Sequence, residues 1–262
     1  MTSSNPSATR HLSVIIPAYN EARRILPYLQ AITAYLDRRG FSYEILVVDD
    51  GSQDDTAMLV ERAGTQYSHV RLIRFSRNSG KGTAVRAGMQ AAQGELQLFA
   101  DADGATPIQE LERLEAAMHT GADLAIGSRT LASRDSRYRV QARLHRTLLG
   151  NLFNRIVQRL GIPGINDTQC GFKLFRKSVA QDLFSVARID GYGFDLELLY
   201  IAQRRGYRIA EVPINWTDQP GSKVRVLRDG FRTLGEMLAV RRNSAGGLYA
   251  AQRLTPDVAR KS

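Results

Sequence analysis

The sequence predicts an α/β fold in which a mainly parallel β-sheet carries helices on both faces. Short aliphatic segments, typical of buried strands, alternate with longer segments of helical periodicity through the first half of the chain. The strand segments are residues 12–16, 43–48, 70–75, 96–100 and 123–127, and the helical segments are residues 22–39, 54–66 and 81–93. A further helix is predicted to start at Thr106-Pro107, with Gln109 completing a capping box. Such alternation is typical of strand–helix–strand crossovers.

Polar residues follow four of these strands, at the point where each strand ends. They are Tyr19-Asn20-Glu21, Asp49-Asp50, Arg77-Asn78 and the pair Asp101 and Asp103. In open α/β sheets, ligands bind outside the carboxyl ends of the strands. We therefore expect the four groups to meet at one edge of the sheet and to form a ligand site there.

Length and composition favour one large domain. The chain has 262 residues, of which 43% are hydrophobic, enough for a substantial core. Its single cysteine, Cys170, excludes an internal disulfide framework and fits a reducing compartment. Residues 1–11 are polar, and no apolar run approaches the roughly 20 residues that span a bilayer. The sequence thus predicts a cytoplasmic protein without a membrane-spanning anchor.

The net charge of +10, from 36 basic and 26 acidic residues, indicates an anionic partner: nucleic acid, a phosphate-bearing substrate or a membrane surface. Solubility alone is the simplest alternative. Two basic segments with helical apolar periodicity, residues 138–160 and 224–242, carry many of the arginines. Each is either a core-packed helix with solvated arginines or a helix on a membrane surface. Because there are two, we expect peripheral contact with the inner face of a membrane, and flexible ends at residues 1–11 and 244–262.

Asp101-Ala102-Asp103 is the first candidate for chemistry. Two carboxylates one residue apart, directly after a strand, can bind one Mg²⁺ or Mn²⁺ together, because hard cations prefer oxygen ligands. The cation would neutralise a diphosphate as it leaves. A D-x-D triplet alone is also common in surface turns, so its position after the fourth strand carries the prediction.

Two further loops have candidate binding roles. The segment Asp49-Asp50-Gly51-Ser52 fits a capped turn before a helix, and one of its carboxylates can also accept an N–H of a nucleotide base. Residues 78–82 are glycine-rich and open a helix, where backbone amides and Lys81 can meet phosphate. The segment lacks the first glycine of a P-loop, and the chain has no G-x-G-x-x-G, which argues against a dinucleotide dehydrogenase.

Three ordered motifs resemble those of family 2 glycosyltransferases, which have the GT-A fold: VIIPAYNE at residues 14–21, VVDDGS at residues 47–52 and DADG at residues 101–104. Later segments resemble dolichyl-phosphate β-glucosyltransferases and, beyond them, polyprenyl-phosphate mannosyltransferases: DTQCGFK at 167–173, FDLELLYIA at 194–202, and NWT at 215–217 with GSK at 221–223. The resemblance covers residues 12–240. It implies one domain with a nucleotide-sugar-binding half, residues 12–130, and an acceptor-binding half, residues 131–240.

The resemblance implies a site for a nucleotide sugar and a lipid phosphate. The implied nucleotide-sugar set is Pro17, Ala18, Tyr19, Glu21, Asp49, Asp50, Lys81, Asp101, Ala102, Asp103, Asp167 and Gln169. Within it, Asp101 and Asp103 hold the metal and the diphosphate, while Asp167 and Gln169 face the donor sugar together with Asp195. The implied acceptor-phosphate set is Arg129, Arg143 and Lys223, and the implied catalytic set is Asp101, Asp103, Asp195, Arg129 and Arg143.

The resemblance also implies the reaction: transfer of a hexose, glucose from UDP-glucose by likeness, to the phosphate of a polyprenyl or dolichyl phosphate. Mannose from GDP-mannose, N-acetylglucosamine, and transfer to a sugar hydroxyl are the alternatives. Mannosyl relatives place a Gln two residues after the second Asp and use it on the metal, whereas this chain has Ala105. The third protein ligand is therefore left open, with water as one candidate.

A phosphate acceptor changes what the site must supply. A phosphate monoester is largely dianionic at pH 7, because its second pKa is about 6. Such a nucleophile needs alignment and relief from charge repulsion rather than a general base. We therefore expect Arg129 and Arg143 to matter more than a proton acceptor, Asp195 to orient sugar hydroxyls, and transfer to proceed by direct inversion. For a sugar-hydroxyl acceptor, Asp195 is the candidate base.

Three other functional classes fit the sequence less well. A nucleic-acid-binding protein accounts for the charge, but RNA-recognition, helix-turn-helix and zinc motifs are absent from the sequence, so we expect no nucleic-acid partner. A nucleotidyltransferase would have a glycine-rich loop after the first strand, where this chain has Pro17-Ala18-Tyr19-Asn20. A catalytically silent scaffold is disfavoured by the retained Asp101 and Asp103 and by the two arginines.

Overall fold

The structure, a computed structural model, describes residues 11–141, 156–219 and 226–250, without the side chains of residues 226–229. Its centre is a seven-stranded sheet. The strands in chain order are β1 (Leu12–Ala18), β2 (Tyr43–Asp49), β3 (Val70–Arg74), β4 (Leu96–Ala100), β5 (Leu124–Ser128), β6 (Val140–Gln141), β7 (Phe172–Arg176), β8 (Ile209–Pro213) and β9 (Trp216–Thr217). The helices are α1 (Ile25–Arg39), α2 (Thr56–Gln66), α3 (Lys81–Ala91), α4 (Leu111–His119), α5 (Arg129–Ala132), α6 (Lys177–Val186), α7 (Phe194–Arg204) and α8 (Val226–Ala245).

The strand order is β3-β2-β1-β4-β7-β5-β8, while β6 and β9 pair separately. Strands β1 to β4 pair in parallel, as do β5 and β8. The predicted mainly parallel sheet is therefore confirmed. The exception is β7, which runs antiparallel between β4 and β5. This strand comes from the second half of the chain, so both halves build the sheet on which the site stands.

Helices cover both faces of the sheet, as predicted. Successive residues of a strand point to opposite faces, so each buried strand feeds two cores. In β1, Val14 and Ile16 pack in one core with Leu29 of α1. Ile15, between them, packs in the other core, with Val85 of α3 and with residues of α6, α7 and α8. The near-continuous apolar composition of β1 and β2 follows from burial on both sides.

The start of α4 differs from the prediction. Residues Ile108–Glu110 form a 3₁₀ turn, α4 begins only at Leu111, and neither start has a side-chain cap. Pro107 is extended, with φ of −60° and ψ of 139°, so the chain becomes helical only after it. The predicted capping box at Thr106 does not form.

The first basic segment, residues 138–160, is not one helix from its beginning. Val140–Gln141 form β6, whose pairing with β9 holds the chain extended there. Residues 156–160 are helical, and residues 142–155 lie outside the described part of the chain. The second basic segment is the helix α8, which extends to Ala245.

The C-terminal tail was predicted to begin at residue 244, but defined structure continues beyond that residue. Beyond α8, Tyr249 is buried and donates a hydrogen bond to Glu197 Oε1 at 2.5 Å, so this contact fixes the chain that follows the helix. Residues 1–10 and 251–262, where flexible ends were predicted, lie outside the described residues. Among the helices that are described, none is long and apolar enough to cross a bilayer.

Candidate functional site

The loops after β1 and β2 meet at the carboxyl edge of the sheet, as their positions predicted. Asn20 N donates to Ser52 Oγ at 2.8 Å, and Gln53 N donates to Asn20 Oδ1 at 2.7 Å. Glu21 N donates to Thr56 Oγ1 at 2.7 Å. Asn20 has a φ of 52°, a conformation that Asn tolerates better than most residues. These bonds hold the candidate nucleotide loops together before any ligand binds.

The two acidic residues at the end of β2 have structural partners. Asp49 Oδ1 accepts a hydrogen bond from Ser52 N at 3.2 Å, which is the capped turn expected for this segment. Asp50 accepts from Ser79 N at 2.6 Å and from Gly80 N at 2.9 Å. Asp50 therefore fastens the glycine-rich loop, the second candidate phosphate contact, to the end of β2.

Asp101 and Asp103 follow β4, at the same edge. Asp101 N donates to Gly171 O at 2.9 Å, and a Cβ built on Gly171 would overlap the Asp101 carboxylate. Position 171 therefore has to be glycine for Asp101 to lie where it does. Asp103 is half-buried, and its Oδ1 accepts from Ala105 N at 3.0 Å. The backbone just before β7 thus supports the first of the two candidate metal ligands.

The electrostatics of the pair suit a cation. Burial, and then the charge of Asp101, raise the pKa of Asp103 above its usual range, against the opposing effects of Ala105 N, Arg24 and Lys81. A divalent cation bound between two like-charged carboxylates would relieve that cost. Within the described residues, no group of three or more His, Cys, Asp or Glu side chains is placed to hold a metal. Asp101 and Asp103 would then be two of the ligands of such a cation.

Lys81, the first residue of α3, pairs with Asp101: its Nζ lies 2.7 Å from Asp101 Oδ1. The ammonium also lies over the rings of Phe99, Tyr192 and Phe194, at 5.3, 5.8 and 6.0 Å from their centroids. Burial lowers the pKa of Lys81, but the nearby carboxylates outweigh burial and raise it, so the side chain stays charged. A fixed positive charge therefore stands beside the candidate metal ligands.

Asp195, in the first turn of α7, pairs with Lys173 of β7. Lys173 Nζ is fully buried and donates to Asp195 Oδ1 and to Cys170 O, both at 2.6 Å. Burial raises the pKa of Asp195, and the ammonium groups of Lys173 and Lys81 oppose the rise. The sequence pattern did not single out Lys173. A lysine inside the otherwise apolar start of a strand is the available signal, because a buried lysine needs an anionic partner.

Arg129 and Asp167, predicted to face different substrates, form one ion pair. Arg129 Nε and Nη2 each donate to the Asp167 carboxylate at 2.8 Å, and Arg129 N donates to it at 2.9 Å. Burial would raise the pKa of Asp167, but the Arg129 guanidinium outweighs it and lowers the pKa below its usual value. Asp167 is 2% exposed and Arg129 is 33% exposed, so the arginine presents the accessible surface of the pair. Its guanidinium also lies over the ring of Trp216, 5.4 Å from the centroid.

The remaining predicted site residues divide by their surroundings. Glu21 receives two hydrogen bonds from Arg24, both at 2.7 Å. Cys170 is buried, and burial raises the pKa of its thiol to about 12, as expected for an inert cysteine. Ala18 and Ala102 are buried, whereas Pro17, Tyr19 and Gln169 are partly buried, like Asp101 and Asp103. Arg143 and Lys223 lie outside the described residues.

Comparisons with known proteins agree with this geometry. Residues 13–184 match the model of the family described as Glycosyl transferase family 2. The human dolichyl-phosphate beta-glucosyltransferase is 40% identical over 231 residues, which cover 83% of this chain and 71% of the human one. The protein of the same name from Dictyostelium discoideum is 39% identical over 252 residues, which cover 90% of this chain and 76% of that one.

A solved structure shares the architecture at lower identity. Glucosyl-3-phosphoglycerate synthase from Mycobacterium tuberculosis, in complex with Mn²⁺, UDP-glucose and phosphoglyceric acid, superposes with a TM-score of 0.68 and 20% identity. The alignment covers 89% of this chain and 80% of that one. This likeness concerns the fold, and the family match covers most of the chain. The chain belongs to glycosyl transferase family 2 and has the GT-A fold.

Proposed function

We propose that this protein transfers glucose from UDP-glucose to the phosphate of a dolichyl or other polyprenyl phosphate, with inversion, to give a lipid-phosphate-linked β-glucose. The observation that carries this proposal is the identity of about two residues in five with dolichyl-phosphate beta-glucosyltransferases over most of the chain. The arrangement of charges at the sheet edge supports it, because each group that such a transfer requires has a candidate there.

The uridine end of the donor is assigned to the loops after β1 and β2. Pro17 and Ala18 end β1, and Tyr19 and Glu21 follow it. Asp49 ends β2, and Asp50 follows it. The hydrogen bonds between these loops support the assignment, since a pre-ordered edge costs less entropy on binding than a mobile one. Asp49 and Asp50 already accept backbone hydrogen bonds, but each carboxylate has further lone pairs for a base or ribose donor.

The diphosphate is assigned to Asp101, Asp103 and Lys81. The two carboxylates fit Mg²⁺ or Mn²⁺, and the M. tuberculosis synthase, which shares the fold, is crystallised with Mn²⁺ and UDP-glucose. A divalent cation, when bound, would neutralise the charge that develops on the departing diphosphate. Lys81 adds a fixed positive charge on the same side. Because the aromatic rings around it exclude water, its electrostatic attraction to a phosphate is stronger than it would be in water.

The donor sugar is assigned to Asp195 and Gln169, with Asp167 acting mainly through Arg129. Asp195 is held at one oxygen by Lys173, so its other oxygen is the one available to accept from sugar hydroxyls. A carboxylate fixed by a buried ammonium orients a substrate well but is a constrained proton acceptor. This favours the role of Asp195 as a sugar-orienting group.

The acceptor phosphate is assigned to Arg129, together with Arg143 and Lys223. Arg129 is held rigid by Asp167 and stacks on Trp216, which leaves part of a planar guanidinium exposed for a phosphate. A dianionic phosphate attacks without a base, so the work of the site is to align two anions and to screen their repulsion. Direct in-line attack on an α-linked donor then gives the β-linked product.

A membrane surface is assigned to helix α8. Phe231 and Leu238, two helical turns apart, are 75% and 57% exposed, and Arg232, Arg241 and Arg242 lie on the same helix. Exposed apolar side chains between arginines favour an interfacial helix on an anionic surface. We infer that the protein lies peripherally on the inner face of a membrane, where a lipid phosphate is within reach.

The experiment is a transfer assay with radiolabelled UDP-glucose, GDP-mannose and UDP-N-acetylglucosamine, a polyprenyl phosphate, and Mg²⁺ or Mn²⁺. We expect that, of the three donors, only UDP-glucose transfers label to the organic phase. We expect no transfer by the Asp101→Asn variant. Label from GDP-mannose would replace glucose by mannose as the donor sugar. Label transferred only to a soluble sugar, or turnover undiminished by EDTA, would contradict the proposal.

A further inference from the structure

Glu236 of helix α8 contacts Gly193, the residue that directly precedes helix α7. Gly193 N donates to Glu236 Oε2 at 2.6 Å. A Cβ built on Gly191 or on Gly193 would overlap the Glu236 carboxylate. The two glycines therefore leave the space that this carboxylate fills.

The carboxylate also stabilises the end of a helix. Gly193 is the N-cap residue of α7, whose own residues provide no side-chain cap. The first amides of a helix lack partners within it, and a negative charge near them is favourable. Glu236, which belongs to another helix, accepts a hydrogen bond from the amide of Gly193 and places a negative charge there. Its side chain is 16% exposed, and its other oxygen accepts from the mostly exposed Arg232 at 3.1 Å.

The residues on either side of Gly193 belong to the proposed donor site. Tyr192 and Phe194 place their rings near the Lys81 ammonium, at 5.8 and 6.0 Å. Asp195 lies in the first turn of α7 and pairs with Lys173. A shift of the Gly193 backbone would therefore move a ring beside Lys81 and the carboxylate proposed to orient the sugar.

The chain after α8 holds the same segment from its other end. Tyr249 donates to Glu197 Oε1, and Glu197 accepts from Arg188 N and Ile189 N at 2.8 Å each. Together with Glu236, Tyr249 gives α8 and the residues that follow it two contacts with residues 188–197. Those residues are thus placed by α8 as well as by the sheet.

We propose that Glu236 is a positioning residue for recognition of the donor sugar: it sets the place of the segment Gly191 to Asp195 and thereby the side chains that face the sugar. This inference rests on the proposed function, since it takes UDP-glucose as the donor. If Glu236 positions the side chains that face the sugar, its replacement should weaken binding of UDP-glucose more than binding of UDP. In the described part of the chain, Glu236 hydrogen-bonds Gly193 N and Arg232 and not the loops after β1 and β2. Binding of UDP alone is therefore expected to change much less than binding of UDP-glucose.

The test compares binding of UDP-glucose with binding of UDP, in the presence of Mn²⁺, by calorimetry. Glu236→Ala is expected to weaken UDP-glucose binding about tenfold, because a displaced segment would cost the sugar about one hydrogen bond to a charged group, Asp195. The same variant should change the affinity for UDP by less than about twofold, the range of an uninvolved surface change. Glu236→Gln keeps an acceptor oxygen for Gly193 N and should recover most of the lost affinity.

Two controls separate positioning from folding. Arg232→Ala removes the exposed partner of Glu236 but keeps the bond to Gly193, so its affinity for UDP-glucose should stay close to wild type. If Glu236→Ala fails to fold, Glu236→Asp, which withdraws the carboxylate by one methylene, must show the same selective loss. Equal weakening of UDP and UDP-glucose, or no weakening of either, overturns the inference. If the wild-type protein binds neither ligand, the donor assignment is overturned and the inference with it.

Discussion

Lys81 Nζ lies 2.7 Å from Oδ1 of Asp101, so an ammonium of the protein already contacts one of the two carboxylates proposed to bind the metal. The contact joins the first residue of α3 to the end of β4. This ammonium would repel a metal cation bound at Asp101. The ammonium and the cation would both attract a diphosphate. The affinities for metal and nucleotide should therefore depend on each other through Lys81.

Lys81→Met is expected to raise the affinity for Mn²⁺ in the absence of nucleotide, by about fivefold, and to weaken UDP binding by about tenfold, because one positive charge is removed from a half-buried site. Calorimetric titration of each ligand measures both effects. Lys177→Met, a lysine at the start of α6 that bonds only a surface carbonyl, is the matched control. An unchanged affinity for Mn²⁺ together with weakened UDP would mean that Lys81 acts on the phosphate alone.

The buried pair of Lys173 and Asp195 allows stability to be separated from function. Lys173→Met leaves an uncompensated carboxylate in the core and is expected to destabilise the fold by about 3–5 kcal/mol. The double variant Lys173→Met with Asp195→Leu removes both charges and should recover most of that stability, yet stay inactive. Urea unfolding and the transfer assay give the two readouts. Full activity in the double variant would exclude Asp195 from the site.

Asp195→Asn distinguishes an orienting group from a base. The amide keeps the size of the side chain and one acceptor oxygen but cannot take a proton at neutral pH. Transfer to a lipid phosphate is expected to continue at a measurable kcat with a raised KM for the donor sugar. Loss of all turnover in a protein that melts as a folded domain would instead assign the base role to Asp195, and with it an acceptor that is a hydroxyl.

The sequence alone predicted the sheet and the edge where the site lies, because parallel strands buried on both faces leave a readable apolar pattern and end in polar residues. It did not predict which side chains pair across the site. The partners Lys173 and Asp195 are 22 residues apart, Arg129 and Asp167 are 38 apart, and Gly193 and Glu236 are 43 apart. Each pairing depends on where β7 or α8 is placed in three dimensions, and β7 enters the sheet antiparallel, which no local pattern indicated.

The exposed apolar face of α8 gives a test of membrane contact. Replacing both Phe231 and Leu238 by Ser removes apolar area that would enter the interface, and each large apolar side chain contributes up to about 1.5–3 kcal/mol when fully transferred. Co-sedimentation with vesicles containing anionic lipid at low salt should therefore fall at least about tenfold, with UDP-glucose binding unchanged. The matched control is Met58→Ser on α2, a helix far from α8 in the sequence. The Met58 side chain is 47% exposed, and this variant should bind vesicles like the wild type. Raised salt should weaken wild-type binding further, because the arginines of α8 would contribute through charge. Wild-type protein that fails to sediment with anionic vesicles at low salt would remove the membrane assignment while leaving the donor site untouched.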